Sequence, residues 1–172
     1  NPSRDPVNSY GNESPNRRNM ILGGRSYWIA RTGYDEKYVV DYRLRQLKWG
    51  VSLHYKTKSG NEWRISGRFA LLNNIYQRSN RFKLDDYFLQ QYGLNYTSPA
   101  FQMRIYTNSE NSGRSYNLRS MAENMHRYVK KDGVWFSEYA STYESLIRSG
   151  SDIASAHAQA RKTADGGRLI PG

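Results

Sequence analysis

Few side chains in this sequence could carry acid–base chemistry, and those few are scattered. Asp85-Asp86 and Glu138 are the carboxylates that stand out, and His54, His126 and His157 are the three imidazoles. Acid–base catalysis needs such groups within hydrogen-bond reach of one another. The sequence offers neither a nucleophile–base pairing nor a phosphate-cradling Gly loop. The histidines are far apart and fall in different predicted elements, so metal-ligand spacing is absent. With no cysteine there is no thiolate site and no disulfide, which leaves the redox compartment open. No catalytic residue, metal or cofactor is expected, and the chain does not read as an enzyme.

Binding chemistry has more support. The chain carries 26 Lys and Arg against 15 Asp and Glu, a net charge of +11, and 15 of its 172 residues are Tyr. A basic excess points to an acidic partner such as nucleic acid or anionic lipid. The cations are spread along the chain, with no Arg-rich helix or tight basic block. Only 37% of residues are hydrophobic and the mean hydropathy is -0.90. The aromatic content argues against disorder, so the polar mass is assigned to solvated loops. No apolar run approaches the length of a membrane helix.

The elements that must position these groups are extended. From Leu47 the residues Leu47, Trp49, Val51, Leu53 and Tyr55 take one face of a strand, and Lys48, Gly50, Ser52, His54 and Lys56 take the other. A Gly-containing turn at 58–61 leads to a second strand over about 61–71. There Trp63, Ile65, Gly67, Phe69 and Leu71 alternate with Glu62, Arg64, Ser66, Arg68 and Ala70. A long polar connection is expected near 72–83. A third strand over about 84–97 and a fourth over about 101–109 follow, joined by a turn at 97–100 whose Pro99 cannot donate to a ladder.

The flanks read differently. Residues 1–36 read as loop, with a short strand near Ser26–Ala30, and the chain becomes extended from about Lys37. After Asn111 the period-two signal gives way to helical spacing. Trp135, Tyr139 and Tyr143 predict a helix near 135–149 stopped by Gly150. Ser151-Asp152 predicts the cap of a second helix near 152–164. Its apolar face is only Ile153 with small residues, so it should pack on a neighbour or lie on a surface.

Clean alternation suits a soluble sheet with one face covered by the helices. Three features favour a membrane wall instead. The strands are long, near what a tilted strand needs to cross a bilayer. Loop lengths alternate short and long, as on the two rims of an outer-membrane barrel. Trp49, Trp63, Tyr55, Tyr92 and Tyr96 sit toward strand ends on the apolar face, where aromatic girdles lie, while the charges lie opposite.

Several stretches resemble Bacteroidota-type TonB-dependent outer-membrane receptors. They are Arg31-Thr32-Gly33-Tyr34-Asp35-Glu36, Val40-Asp41-Tyr42, Leu47-Lys48, Asn74-Ile75-Tyr76-Gln77-Arg78-Ser79-Asn80-Arg81 and Ser115-Tyr116-Asn117-Leu118-Arg119. Trp135-Phe136, Glu138-Tyr139 and the tail from Ala156-His157 to Pro171-Gly172 fit the same family, in the family's order. The resemblance implies an all-β transmembrane barrel segment, about four to five antiparallel strands of a larger 22-strand barrel, with short helices in a long extracellular loop. Four or five strands cannot close a barrel, so the chain is expected to be a piece of a larger wall. In domain terms, 1–36 is an extracellular loop, 37–110 carries the barrel strands, and 111–172 is a long extracellular loop.

The function implied is import of an extracellular nutrient across the cell outer membrane, driven by the inner-membrane proton gradient. Partners would be outer-membrane lipid or lipopolysaccharide, the receptor's remaining strands and its plug, TonB acting through that plug, and a lipoprotein lid of the SusD kind. Lys48, His54, Arg64, Arg68 and Arg104 are the expected lumen-facing residues. Leu47, Trp49, Val51, Leu53, Trp63, Ile65 and Phe69 are the expected lipid-facing ones. Tyr76, Gln77, Arg78, Arg81, Trp135, Tyr139 and Tyr143 are expected in extracellular loops, the last three as a loop-internal core. The alternative is a soluble basic β-rich module binding single-stranded nucleic acid, with aromatics for stacking and cations for phosphate. It calls for aromatics and cations interleaved on one face, whereas here they segregate, so no nucleic acid is expected.

Overall fold

A computed structural model describes residues 8–76 and 81–168. The chain divides into two compact units, Asn1–Asp41 with Leu118–Gly172 and Tyr42–Asn117. In chain order the strands and helices are β1 (Ser9–Tyr10), β2 (Arg18–Leu22), β3 (Arg25–Ile29), β4 (Tyr34–Asp35) and the single turn α1 (Glu36–Val39). The long strands β5 (Arg45–Lys56), β6 (Glu62–Tyr76), β7 (Phe82–Thr97) and β8 (Gln102–Asn111) follow. Next come β9 (Tyr116–Asn117), α2 (Leu118–Val129), α3 (Asp132–Arg148) and α4 (Ile153–Ala164).

The second unit is an antiparallel sheet in the order β5-β6-β7-β8, with β9 paired to the start of β7. Its register follows from the alternation. Leu47, Trp49, Val51, Leu53 and Tyr55 lie opposite Leu71, Phe69, Gly67, Ile65 and Trp63, which brings like faces together. Among the described residues β5 pairs only with β6 and β8 only with β7, so the sheet is open.

The expected long loop at 72–83 is largely strand. Ladder pairs Asn74 with Leu84, Ile75 with Lys83 and Tyr76 with Phe82 carry β6 and β7 onward. Polar composition hid this, because a half-solvated strand tolerates Asn and Lys. A bulge interrupts the ladder between Leu72 and Asn74, and Asp86 takes a left-handed φ of 53° there. Arg114 grips both carboxylates, its Nε 3.0 Å from Asp85 and its Nη2 3.0 Å from Asp86. Asn73 Oδ1 accepts from the Asp86 backbone N–H at 2.9 Å.

The first unit has its own core. On α3, Trp135, Phe136, Tyr139 and Tyr143 form one buried stripe, and on α4 Ala156, Ala160 and Ala164 form another. Spacings of three to four residues place each stripe on one helix face, and the methyl-sized alanines let large rings approach closely. Ile153, expected on this apolar face, begins the helix outside the packed cluster and is 42% exposed. Asp152 caps α4, accepting from Ser155 N at 3.0 Å, and Gly150 ends the preceding turn with φ 88°.

Residues 8–36, within the segment expected to be loop, carry regular structure. β2 and β3 form a hairpin whose Gly23-Gly24 turn takes φ 56° and 74°, as a two-residue hairpin loop requires. It lays Leu22 and Ile29 on the helical core. The segment expected to be extended from Lys37 begins instead with the α1 turn, and the long strand starts at Arg45. The helix α2, which the sequence did not signal by large apolar residues, buries Leu118, Ala122 and His126.

Candidate functional site

The sheet has two chemically opposite faces. Leu47, Trp49, Val51, Leu53, Trp63, Ile65 and Phe69 all lie on one of them, with Phe88, Tyr92, Leu94, Tyr96 and Ile105 brought alongside by register. Most of these side chains are exposed, Leu53 by 69%, Ile65 by 60% and Val51 by 58%, while Phe69, Phe88, Leu94 and Tyr96 are half-buried. A contiguous exposed apolar surface of this kind marks a contact with lipid or a partner.

Within that face the residue types are sorted along the strands. Trp49 stacks on Phe69 at 5.2 Å, Phe69 on Phe88 at 6.3 Å, and Tyr92 meets Phe69 edge-on at 5.7 Å. Trp63 and Tyr96 pack at 4.5 Å near the tight turns, with Phe101 6.3 Å from Tyr96. Val51, Leu53, Ile65, Leu94 and Ile105 fill the zone between. Trp49 and Tyr55 are six positions apart, about 20 Å at the usual strand rise.

Lys48, His54, Arg64, Arg68 and Arg104 share the other face. Two hollows are cut into it, one of about 660 Å³ lined by cross-strand rows that include Lys48, Arg68, Gln91, Asn108 and Glu110. The second, about 490 Å³, runs along the rows of Glu62, Arg64, Asn95, Gln102 and Arg104. Arg68 Nη1 donates to Gln91 Oε1 at 3.2 Å and Arg104 Nε donates to Asn95 Oδ1 at 2.9 Å. His54 Nδ1 lies 3.0 Å from Glu62 Oε1. The hollow-lining Gln91, Asn95, Asn108 and Glu110 went unremarked in the sequence, where only cross-strand register could have matched them to the cations.

The residues expected in loops separate. Tyr76 ends β6 opposite Phe82, so it is a strand residue, and Arg81 directly precedes β7. Gln77 and Arg78 lie outside the described residues. Trp135, Tyr139 and Tyr143 are buried in the helical unit. Trp135 Nε1 donates to Asp165 Oδ1 at 2.9 Å, and Tyr139 Oη lies 2.7 Å from His157 Nδ1. Burial raises the Tyr139 hydroxyl pKa, against the opposing pull of Arg161, and burial lowers that of His157. Glu138 pairs with Lys130. Among the described residues no three His, Cys, Asp or Glu side chains come together as a metal site, and no helix is long and apolar enough to cross a membrane.

Comparisons with protein-family models, with curated proteins and with solved structures found no match to this chain.

Proposed function

We propose that the chain contributes wall and loops to a TonB-dependent outer-membrane importer, in which β5–β8 stand in the bilayer with the apolar face toward lipid. One observation carries this reading: large apolar side chains of one sheet face are exposed, and the cations share the opposite face. A soluble sheet hides its apolar face against a second layer, whereas a barrel wall turns it to lipid and its polar side to a wet lumen. The aromatic zones flanking an aliphatic middle, about 20 Å apart along the strand, are of the order of the ~25 Å apolar band of such walls.

An open four-stranded sheet would leave unpaired backbone in hydrocarbon, so further strands would complete the cylinder. The residues have no chemistry to perform in this role. Lys48, Arg64, Arg68 and Arg104 would bias the lumen toward anionic solutes. The helical unit would belong to the extracellular side, where ligand or a SusD-like lid docks. TonB would act through a plug inside the barrel, powered by the inner-membrane proton gradient.

Fractionation of cells producing the protein tests this. Recovery in the outer-membrane fraction, released by detergent and not by salt, is expected. Release by high salt together with nucleic acid would overturn it in favour of a single-strand-binding module.

A further inference from the structure

The helical unit holds a polar cavity that the importer reading does not use. It has a volume of about 220 Å³, more than one water needs, and lies between Gly11, Asn16, Arg18 and Arg31 on one side and α2 and the start of α3 on the other. Its lining carries three guanidinium groups, from Arg18, Arg31 and Arg127, against two carboxylates, from Glu123 and Asp132.

Both carboxylates are already engaged. Glu123 Oε1 accepts from Asn16 Nδ2 at 3.0 Å and from Arg119 Nε at 3.1 Å, and its other oxygen lies 3.7 Å from Arg127. Asp132 accepts from Arg31 Nη1 at 3.0 Å, with Arg18 3.9 Å away. The cavity is left with a cationic surplus.

Two polar atoms of lining residues have no partner. Arg31 is only 6% exposed and His126 3%, yet Arg31 Nε and His126 Nε2 are buried without a hydrogen bond. Arg31 spends Nη1 on Lys130 O at 2.7 Å as well as on Asp132. A buried donor left unmatched is costly, and native proteins rarely leave one so. Gly11 makes room for the imidazole: a Cβ there would stand 2.7 Å from His126 Nε2.

We propose that this cavity binds a small oxyanion, a carboxylate or phosphate group, with Arg31 and Arg127 supplying charge and the Arg31 Nε–H a buried donor. Guanidinium forks match the planar and tetrahedral oxygen sets of such groups. Arg18, held over the Phe136 ring at 4.5 Å, stands at the same cavity as a third cation. The inference concerns the helical unit alone and stands whether or not the sheet meets lipid.

The test is an NMR titration of the full chain with ring-labelled histidine, in which His126 is identified by its contact with the Tyr34 ring, 4.7 Å away. Inorganic phosphate and acetate are the probes, with sodium chloride at matched ionic strength as the control. A saturable shift of the His126 ring signal is expected for at least one probe, and which one responds tells phosphate from carboxylate. Arg127→Gln, at a side chain 58% exposed and so tolerated by the fold, should weaken that binding by about threefold or more, as loss of one partly screened charge implies. Shifts no larger than those in sodium chloride, or binding unchanged in Arg127→Gln, would overturn the proposal.

Discussion

Leu53 and Ile65 face each other across β5 and β6 in register, and both are more than half exposed. One residue along each strand, His54 and Arg64 form the next pair, directed to the opposite, polar side. The first prediction follows from this contrast. Leu53→Arg puts a charge at the middle of the apolar face, which costs roughly 2–4 kcal/mol in lipid. Its yield in the outer-membrane fraction should fall sharply, while His54→Arg on the polar face should leave it unchanged. Equal yields would mean that Leu53 does not meet hydrocarbon.

Packing in the helical unit predicts a second outcome. Ala160 is fully buried against the aromatic stripe of α3. Ala160→Leu should destabilise the unit by about 1–3 kcal/mol through overpacking, lowering the midpoint of its helical circular-dichroism melt. Ile153→Ser, at the partly exposed first residue of the same helix and outside the packed cluster, should change that midpoint less.

These two stripes also show what the sequence made legible. The alternation of β5 and β6 is readable because each residue type changes with the face, and a one-residue slip would invert both faces. The aromatic spacing on α3 is readable for the same reason at a helical period. α2 was missed because its buried stripe is Leu118, Ala122 and His126, and only one of these is a large apolar residue. Their spacing of four was the available signal. The β2–β3 hairpin was half seen: Met20, Leu22, Tyr27 and Ile29 alternate about Gly23-Gly24, a turn signal that deserved more weight than the surrounding polar residues. Opposite the bulge at Leu72/Asn74, Asp86 pairs with Arg114, 28 residues further on, a contact that no local pattern encodes.

Acid should weaken the helical unit in a defined window. Burial, reinforced by the nearby Arg31 and Arg168 cations, lowers the His126 pKa from 6.5 to about 4. The folded state therefore favours neutral imidazole, and its stabilising effect is complete above pH 6.5. As the pH falls below 6.5 the unfolded chain takes up a proton that the folded chain refuses, until His126 protonates near pH 4. The loss attributable to this group should approach about 3 kcal/mol over that interval. Chemical denaturation at a series of pH values should show the decline, and His126→Gln should flatten it between pH 6.5 and 4.

The most direct test of the account uses the absence of native cysteine. Single cysteines at Val51, Ser52, Leu53 and His54, introduced into the protein in its cellular membrane, can be probed with one water-soluble and one lipid-soluble maleimide. The account predicts alternation: positions 52 and 54 react readily with the water-soluble reagent, while 51 and 53 resist it and react at most slowly with the lipid-soluble one, because a thiol in hydrocarbon stays protonated. Ready labelling of 51 and 53 by the water-soluble reagent, or protection of both by a protein partner in the absence of membrane, would contradict it.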